Sequence, residues 1–182
     1  AFYMPKLFEE ALGTKFNIVL GYQAGQDIDL AVERGEVQCR AFTITAYFAR
    51  EPFITWRKTG FVRVLVQSGK RRDERLKDTP TIYELMDKYK TPAGARSLAT
   101  VVLAAGDFGR PIVAPPGVPA ERIKILREAF DKSMKDPALV AEAAKRQLEL
   151  DPTTGQELET LAKEVVAQPP EVVERMKKLL GL

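Results

Sequence analysis

The chain has 182 residues, 45% of them apolar, which is enough to build one compact domain or two small ones. Its 28 basic and 25 acidic side chains are interspersed and leave a net charge of only +3, so the composition gives little support to nucleic-acid binding. The absence of histidine and the single cysteine, Cys39, exclude an intramolecular disulfide, Ser-His-Asp triads and histidine-containing zinc sites.

The N-terminal quarter alternates helical and strand-like patterns. Apolar spacing predicts a helix over residues 3–12 that stops at Gly13. The β-rich segments 16–22 and 36–42 flank a helix that opens at Gly25. This arrangement predicts a β-α-β unit with parallel strands and a right-handed crossover.

The sequence pattern in the middle of the chain predicts three short helices, a strand and a longer helix. Thr43 is a plausible N-cap of the first helix, and Pro52 starts the second. The branched apolar run at 62–67 predicts a strand. Thr81, with Glu84 at capping-box spacing, opens the third helix, and a longer helix over about 94–105 follows.

The C-terminal part predicts one buried strand followed mainly by helices. The strand, 111–114, precedes a proline-stiffened turn that leads into a helix from Pro119. The later predictions are a helix restarting at Asp136-Pro137, a possible short strand at 148–150, a helix capped by Thr154 with Glu157 three residues on, and a last helix from Pro169-Pro170.

The most informative local feature is the turn that links the first predicted strand to its helix. It comprises Tyr22, Gln23, Ala24 and Gly25. Such a turn at a helix N-terminus presents free backbone N–H groups and the positive end of the helix dipole, which together can hold a carboxylate. The alternative is that the glycines only allow a tight connection.

Thr43 and Thr45 follow the second predicted strand and would face the same crevice. Their hydroxyl groups could contact a polar ligand, although helix capping explains Thr43 equally well. Arg40 could neutralise an acidic ligand, but a single arginine in a strand is more often paired or extended along apolar surface. These side chains extend the candidate site and leave its chemistry open.

The remaining residues favour a binding protein over an enzyme, with no catalytic, metal-binding or cofactor-binding residues. Asp27 and Asp29 lie in the first turn of a helix, where acids are favoured in any case. The kinase-like triplet at 107–109 lacks the other kinase motifs. The aromatic side chains of the middle helices recur at helical spacing, which favours packing in a core; they are Tyr47, Phe48, Phe53 and Trp56.

The single cysteine, Cys39, is expected to be an inert core residue.

Several segments together resemble the receptors of tripartite tricarboxylate transporters, which are extracytoplasmic solute-binding proteins. The matching segments, in order, are Gly21–Gly25, Leu30–Val37, Asp78–Leu85, Arg110–Arg122, Leu126–Phe130 and Lys135–Pro137. The resemblance implies a three-layer αβα fold, the second type of periplasmic binding protein, with a small organic acid held between two lobes. It further implies a periplasmic location, although the sequence carries no signal-peptide pattern, and delivery of the ligand to a membrane permease.

The resemblance also implies a division of the chain. Residues 1–108 would form an α/β lobe two, and residues 109–182 a hinge return and the helical C-terminal part of an incomplete lobe one. Family members are longer, so the chain is expected to be a truncated fragment or a half-receptor that forms a homodimer. The alternative function is a non-catalytic assembling α/β module with no metabolite ligand.

Overall fold

The computed structural model describes residues 2–146 and 148–181 and is 59% helical with 1% strand. Its ten α-helices within these residues are α1 (Tyr3–Leu12), α2 (Gly25–Glu33), α3 (Ile44–Ala49), α4 (Phe53–Thr59), α5 (Ile82–Lys88), α6 (Ala93–Phe108), α7 (Ala120–Met134), α8 (Pro137–Lys145), α9 (Gly155–Val166) and α10 (Pro170–Leu180). The described residues form no sheet, so the predicted three-layer αβα fold of a periplasmic-binding-protein lobe is wrong.

The predicted strands are the source of this error. The segments 16–22, 36–42, 111–114 and 148–150 have no regular secondary structure, and in 62–67 only Gln67 makes an isolated parallel bridge, to Thr81. A strand exists only when a neighbouring strand takes its N–H and C=O groups. Within the described residues these segments lack such neighbours, and many of their apolar side chains remain at the surface. Ile112 and Val113, for example, are 84% and 81% exposed.

The described chain divides into two compact units, Ala1–Asp107 with Gln168–Leu182 and Phe108–Ala167. The first unit contains a core formed by α1, α5 and α6, whose buried side chains are Leu7, Ala11, Ile82, Met86, Ala99 and Leu103. On another side of α6, Leu98 packs with Val172 and Leu179 of α10. The helix α6 therefore contributes to two of the unit's clusters.

A third cluster in the same unit is aromatic. It buries Tyr47, Phe53 and Trp56 of α3 and α4, and Phe42 packs against it. The rings of Phe42 and Phe53 lie 4.6 Å apart, and those of Phe53 and Trp56 lie edge to face at 5.3 Å. The prediction that the aromatic residues of these helices pack in a core is confirmed for these buried residues.

The second unit contains α7, α8 and α9 and has little interior. Within its described residues, 108–146 and 148–167, only Ala143 and Leu161 are buried. Its large apolar side chains are mostly exposed: Ile112, Val113, Ile125, Leu126, Leu139, Val140, Leu148, Leu150 and Val166. A unit of about this size normally buries much of its surface to be stable, so residues 108–167 gain little stability from their own interior.

Local signals determine the helix ends. Thr81 accepts a hydrogen bond from the Glu84 N–H at 3.2 Å, and the Glu84 carboxylate accepts from the Thr81 N–H at 2.8 Å. Thr154 and Glu157 form the same reciprocal cap on α9. Gly13 ends α1 at a φ of +67°, a conformation that favours glycine. The capping predictions are confirmed. Over the described residues, no helix combines the length and the apolar character needed to cross a membrane.

Candidate functional site

The turn singled out in the sequence leads directly into a helix. Gly25 is the first residue of α2, and Ala24 precedes it with an extended backbone at φ −140° and ψ 166°. The Ala24 N–H donates to the Asp27 carboxylate at 2.9 Å. The N–H groups of Gly25 and Gln26 belong to the first turn, where no carbonyl of the same helix can accept them. Tyr22 is half-buried, whereas Gln23, Ala24 and Gly25 are exposed.

Arg40 extends from its own segment to this turn. Its Nη1 donates to the Gly25 carbonyl oxygen at 2.6 Å and forms an ion pair with Asp29 of α2. The Arg40 and Asp29 side chains are only 12% and 11% exposed. A Cβ added at Gly25 would lie 3.6 Å from Arg40 Nη2, so a guanidinium group lies against the start of α2.

Aromatic rings border the same guanidinium group. Its central carbon lies 5.9 Å from the Phe42 ring centroid and 5.6 Å from that of Phe53. Rings at this distance attract the cation and exclude water from one side of it. Exclusion of water strengthens the interaction of Arg40 with a carboxylate, because fewer water molecules compete for its N–H donors.

The two threonines occupy the start of the next helix. Thr43 Oγ1 accepts from the Ala46 N–H at 3.3 Å, which confirms Thr43 as the N-cap of α3. Thr45 lies in the first turn of α3, and both side chains are exposed. Through Arg40, the structure brings the turn at 22–25 together with the segment that precedes these threonines. The capping role already accounts for the Thr43 hydroxyl group.

Sequence reasoning missed a second group of cations on aromatic rings. The guanidinium groups of Arg57 and Arg75 lie 4.7 and 4.1 Å from the Phe48 ring centroid. Arg75 also pairs with Asp73 at 2.7 Å, and hydrogen bonding to Arg75 lowers the pKa of the Asp73 carboxyl group. The spacing of these residues gives no signal for the contact, since it joins α3 and α4 to a separate short 3-10 helix, Glu74–Leu76.

A shallow surface groove lies beside the aromatic cluster. It is lined by Glu33, Trp56, Thr59 and Phe61. The Trp56 Nε1 donates to the Glu33 carboxylate at 2.9 Å, which accounts for the polar atom of this buried indole. The contact attaches the end of α2 to α4.

Other candidate chemistry finds no support in the described residues. They contain no group of three or more histidine, cysteine or acidic residues that could hold a metal ion. The prediction that Cys39 is a core residue is wrong, because Cys39 is exposed. Asp107 of the kinase-like triplet is half-buried near the end of α6, and burial raises the pKa of its carboxyl group.

Comparison of the chain with family models, curated proteins and solved structures finds no match.

Proposed function

We propose that the chain is a receptor that binds a small organic carboxylate at the start of α2. The observation that supports this proposal is the position of Arg40, whose guanidinium group lies against Gly25 at the helix N-terminus. A guanidinium group and the first-turn N–H groups of a helix both favour a negatively charged ligand.

The donors available at this point suit a carboxylate. Arg40 Nη1 is engaged by Asp29 and the Gly25 carbonyl oxygen, whereas Nη2, among the described residues, makes only a 3.5 Å contact with the Ala41 carbonyl oxygen. A guanidinium group has five N–H donors in a planar fork, which leaves donor capacity at Nη2. The ligand carboxylate takes the Nη2 donors and the N–H groups of Gly25 and Gln26, while Asp29 holds the guanidinium in place.

The transport role in this proposal rests on the sequence resemblance. The segments that resemble those of tripartite tricarboxylate transporter receptors include the turn at Gly21–Gly25 itself. We infer that the protein works outside the cytoplasm and passes its carboxylate to a membrane permease. The proposal does not include closure of two αβα lobes, since the structure is helical.

The test is thermal unfolding of the full chain with a panel of dicarboxylates, tricarboxylates and aromatic acids. A ligand at 100-fold above its dissociation constant stabilises the folded state by about 2.7 kcal/mol. Arg40→Gln is expected to abolish the shift, whereas Arg63→Gln, which neutralises an exposed arginine elsewhere in the unit, is expected to retain it.

Gly25→Pro provides a second test of the same site. Gly25 is the first helical residue, where proline is tolerated, and Ala24 already has the extended backbone that a following proline requires. The variant is therefore expected to fold while lacking one N–H donor, and its affinity for the carboxylate is expected to fall. Undiminished binding in a folded Gly25→Pro or Arg40→Gln variant would exclude this site.

The alternative is a non-catalytic assembling module that binds no metabolite. One observation favours it, namely the many exposed apolar side chains of residues 108–167. If no acid in the panel shifts the unfolding temperature, the receptor proposal fails and the assembling module becomes the better account.

A further inference from the structure

The surface groove beside the aromatic cluster combines a carboxylate with an open aromatic ring. It has a volume of about 250 Å³ and is lined by Glu33, Trp56, Thr59 and Phe61. The Phe61 ring is 51% exposed, and its centroid lies 5.5 Å from that of the buried Trp56 ring. Pockets for drug-sized ligands have volumes of about 300–1,000 Å³, so this groove suits a smaller group.

Glu33 brings to the groove a carboxylate oxygen that the fold does not use. Its Oε1 accepts the hydrogen bond from Trp56 Nε1, and in the described part of the chain Oε2 has no partner. Arg34 lies 3.9 Å from the Glu36 carboxylate instead, and Arg57 lies over an aromatic ring of α3. No lysine or arginine of the described residues comes within ion-pair distance of Glu33. The groove therefore presents a negative charge that these side chains leave unpaired.

Two helix C-termini add negative charge at the same place. Glu33 is the last residue of α2, and Thr59 is the last residue of α4. The last C=O groups of a helix have no partners within that helix and carry a partial negative charge, which favours a nearby cation. The groove thus attracts a cation through a side chain and through the backbone.

We propose that this groove binds a small organic ammonium ion. The cation lies on the open face of the Phe61 ring, with its charge next to Glu33 Oε2. An aromatic ring attracts such a cation, and quaternary ammonium groups are commonly bound in this way. A divalent metal ion needs several oxygen ligands, and the described residues contain no group of three or more acidic, histidine or cysteine residues to supply them.

This site is separate from the carboxylate site, although both use α2. Gly25 begins that helix and Glu33 ends it, so the two sites lie about 12 Å apart along its axis. Opposite ends of one helix suit ligands of opposite charge, because the helix dipole is positive at the N-terminus and negative at the C-terminus. One proposal is tested with organic acids and the other with an organic cation, and either can fail without the other.

Trp56 is the only tryptophan in the chain, so tryptophan fluorescence reports on this groove. The first experiment titrates the full chain with choline chloride, with sodium chloride at the same ionic strength as the baseline. We expect a saturable change in emission. The uncharged analogue of choline, in which a tert-butyl group replaces the trimethylammonium group, is expected to produce a much weaker response. No saturable response to choline, or an equal response to the uncharged analogue, would overturn the proposal.

Variants of the lining residues locate the binding. Glu33→Gln keeps an acceptor for the Trp56 N–H but removes the charge, and is expected to weaken choline binding roughly fivefold. Phe61→Leu keeps an apolar side chain but removes the ring, and is expected to weaken binding roughly threefold. Glu128→Gln neutralises an exposed carboxylate on α7 and is expected to leave binding unchanged. Circular dichroism establishes that each variant remains helical. Unchanged choline affinity in a folded Glu33→Gln variant would exclude the groove as the binding site.

Discussion

Arg40 sets the electrostatics at the start of α2, and Asp29 is the side chain that balances it. Both side chains are almost nine-tenths buried, and Arg40 has aromatic rings on one side. An ion pair in such surroundings contributes little net stability compared with an apolar pair, but breaking it leaves a charge that water cannot reach. The pair therefore holds the segment around Arg40 against α2.

Replacing Asp29 with asparagine should show how much the stability of the fold depends on the ion pair between Arg40 and Asp29. We expect the free energy of unfolding to fall by about 1–3 kcal/mol, because the buried guanidinium loses its counter-charge but keeps a hydrogen-bond acceptor. Glu36→Gln, which removes the exposed partner of Arg34 at 3.9 Å, is expected to change it by less than about 1 kcal/mol. Urea unfolding of both variants provides the measurement.

The same variant connects stability to the proposed ligand. With Asp29 neutral, an added organic carboxylate supplies the missing charge, so it should stabilise the variant more than the wild-type chain. Equal stability of Asp29→Asn and Glu36→Gln would show that Arg40 does not depend on its partner.

At this scale, the sequence revealed only local relationships. The N-cap role of Thr43 was predictable because its hydrogen bond spans three residues. The contact between Arg40 and Asp29 spans eleven residues and depends on how the segment after α2 returns to that helix. Placing Arg40 in a strand left its partner undetermined.

At the scale of the element, capping boxes show how position in the fold changes the effect of the same motif. The boxes of α5 and α9 have nearly the same geometry. Thr81, however, is buried beside the core of α1, α5 and α6, whereas Thr154 is exposed. If the threonine hydroxyl group is removed, a water molecule can accept the freed N–H hydrogen bond at the exposed Thr154 cap but not at the buried Thr81 cap.

Thr81→Ala is therefore expected to destabilise the chain more than Thr154→Ala. Loss of an N-cap costs about 0.5–2 kcal/mol, and we expect Thr81→Ala near the upper end of that range and Thr154→Ala near the lower end. Chemical denaturation followed by circular dichroism measures both. The reverse order would mean that burial of Thr81 does not increase the value of its cap.

The same distinction explains which elements were predictable. The starts of helices α5 and α9 can be predicted from two residues three positions apart, because the capping hydrogen bonds lie within the helix itself. A strand needs a second segment that the local sequence does not specify. The run at 62–67 has a strong strand composition, yet it contributes only the bridge at Gln67, so β-rich composition led to the wrong fold class.

At the scale of the whole molecule, ion pairs give the chain a dependence on acid. Hydrogen bonds from basic side chains lower the pKa of five carboxyl groups, those of Glu9, Asp73, Glu84, Glu159 and Glu174. A carboxyl group whose folded pKa is lowered stabilises the fold above its unfolded pKa of about 4, and the contribution disappears as pH falls through the lower folded value. Burial raises the pKa of the Asp107 carboxyl group, so this group favours the folded state at low pH instead.

We therefore expect the urea midpoint to fall progressively as the pH drops below about 4.5, and the fall to be smaller at high salt. Glu84→Gln should flatten the dependence, because the carboxyl group that pairs with Arg72 no longer titrates. Glu171→Gln changes a carboxyl group at the start of α10 and serves as the control. A midpoint that rises on acidification would show that the opposite effect of Asp107 dominates.

The two units should also differ in how readily they open. The buried clusters described above lie in the unit that contains α5 and α6, whereas the unit of α7 to α9 buries only Ala143 and Leu161 among its described residues. Amide protection follows buried contacts, because a segment with few of them opens without disturbing the rest. We expect amide hydrogens in α6 to exchange much more slowly than those in α7, as measured by hydrogen–deuterium exchange with mass spectrometry at low protein concentration.

Raising the protein concentration then distinguishes a unit that is intrinsically unstable from one that association with another chain stabilises. If a second copy covers the exposed apolar side chains of residues 108–167, amide protection in α7 rises with concentration, whereas protection in α6 stays constant because its core lies within one chain. Equal protection of α6 and α7 in the dilute chain would mean that few buried side chains suffice for residues 108–167, and the need for a covering partner would vanish.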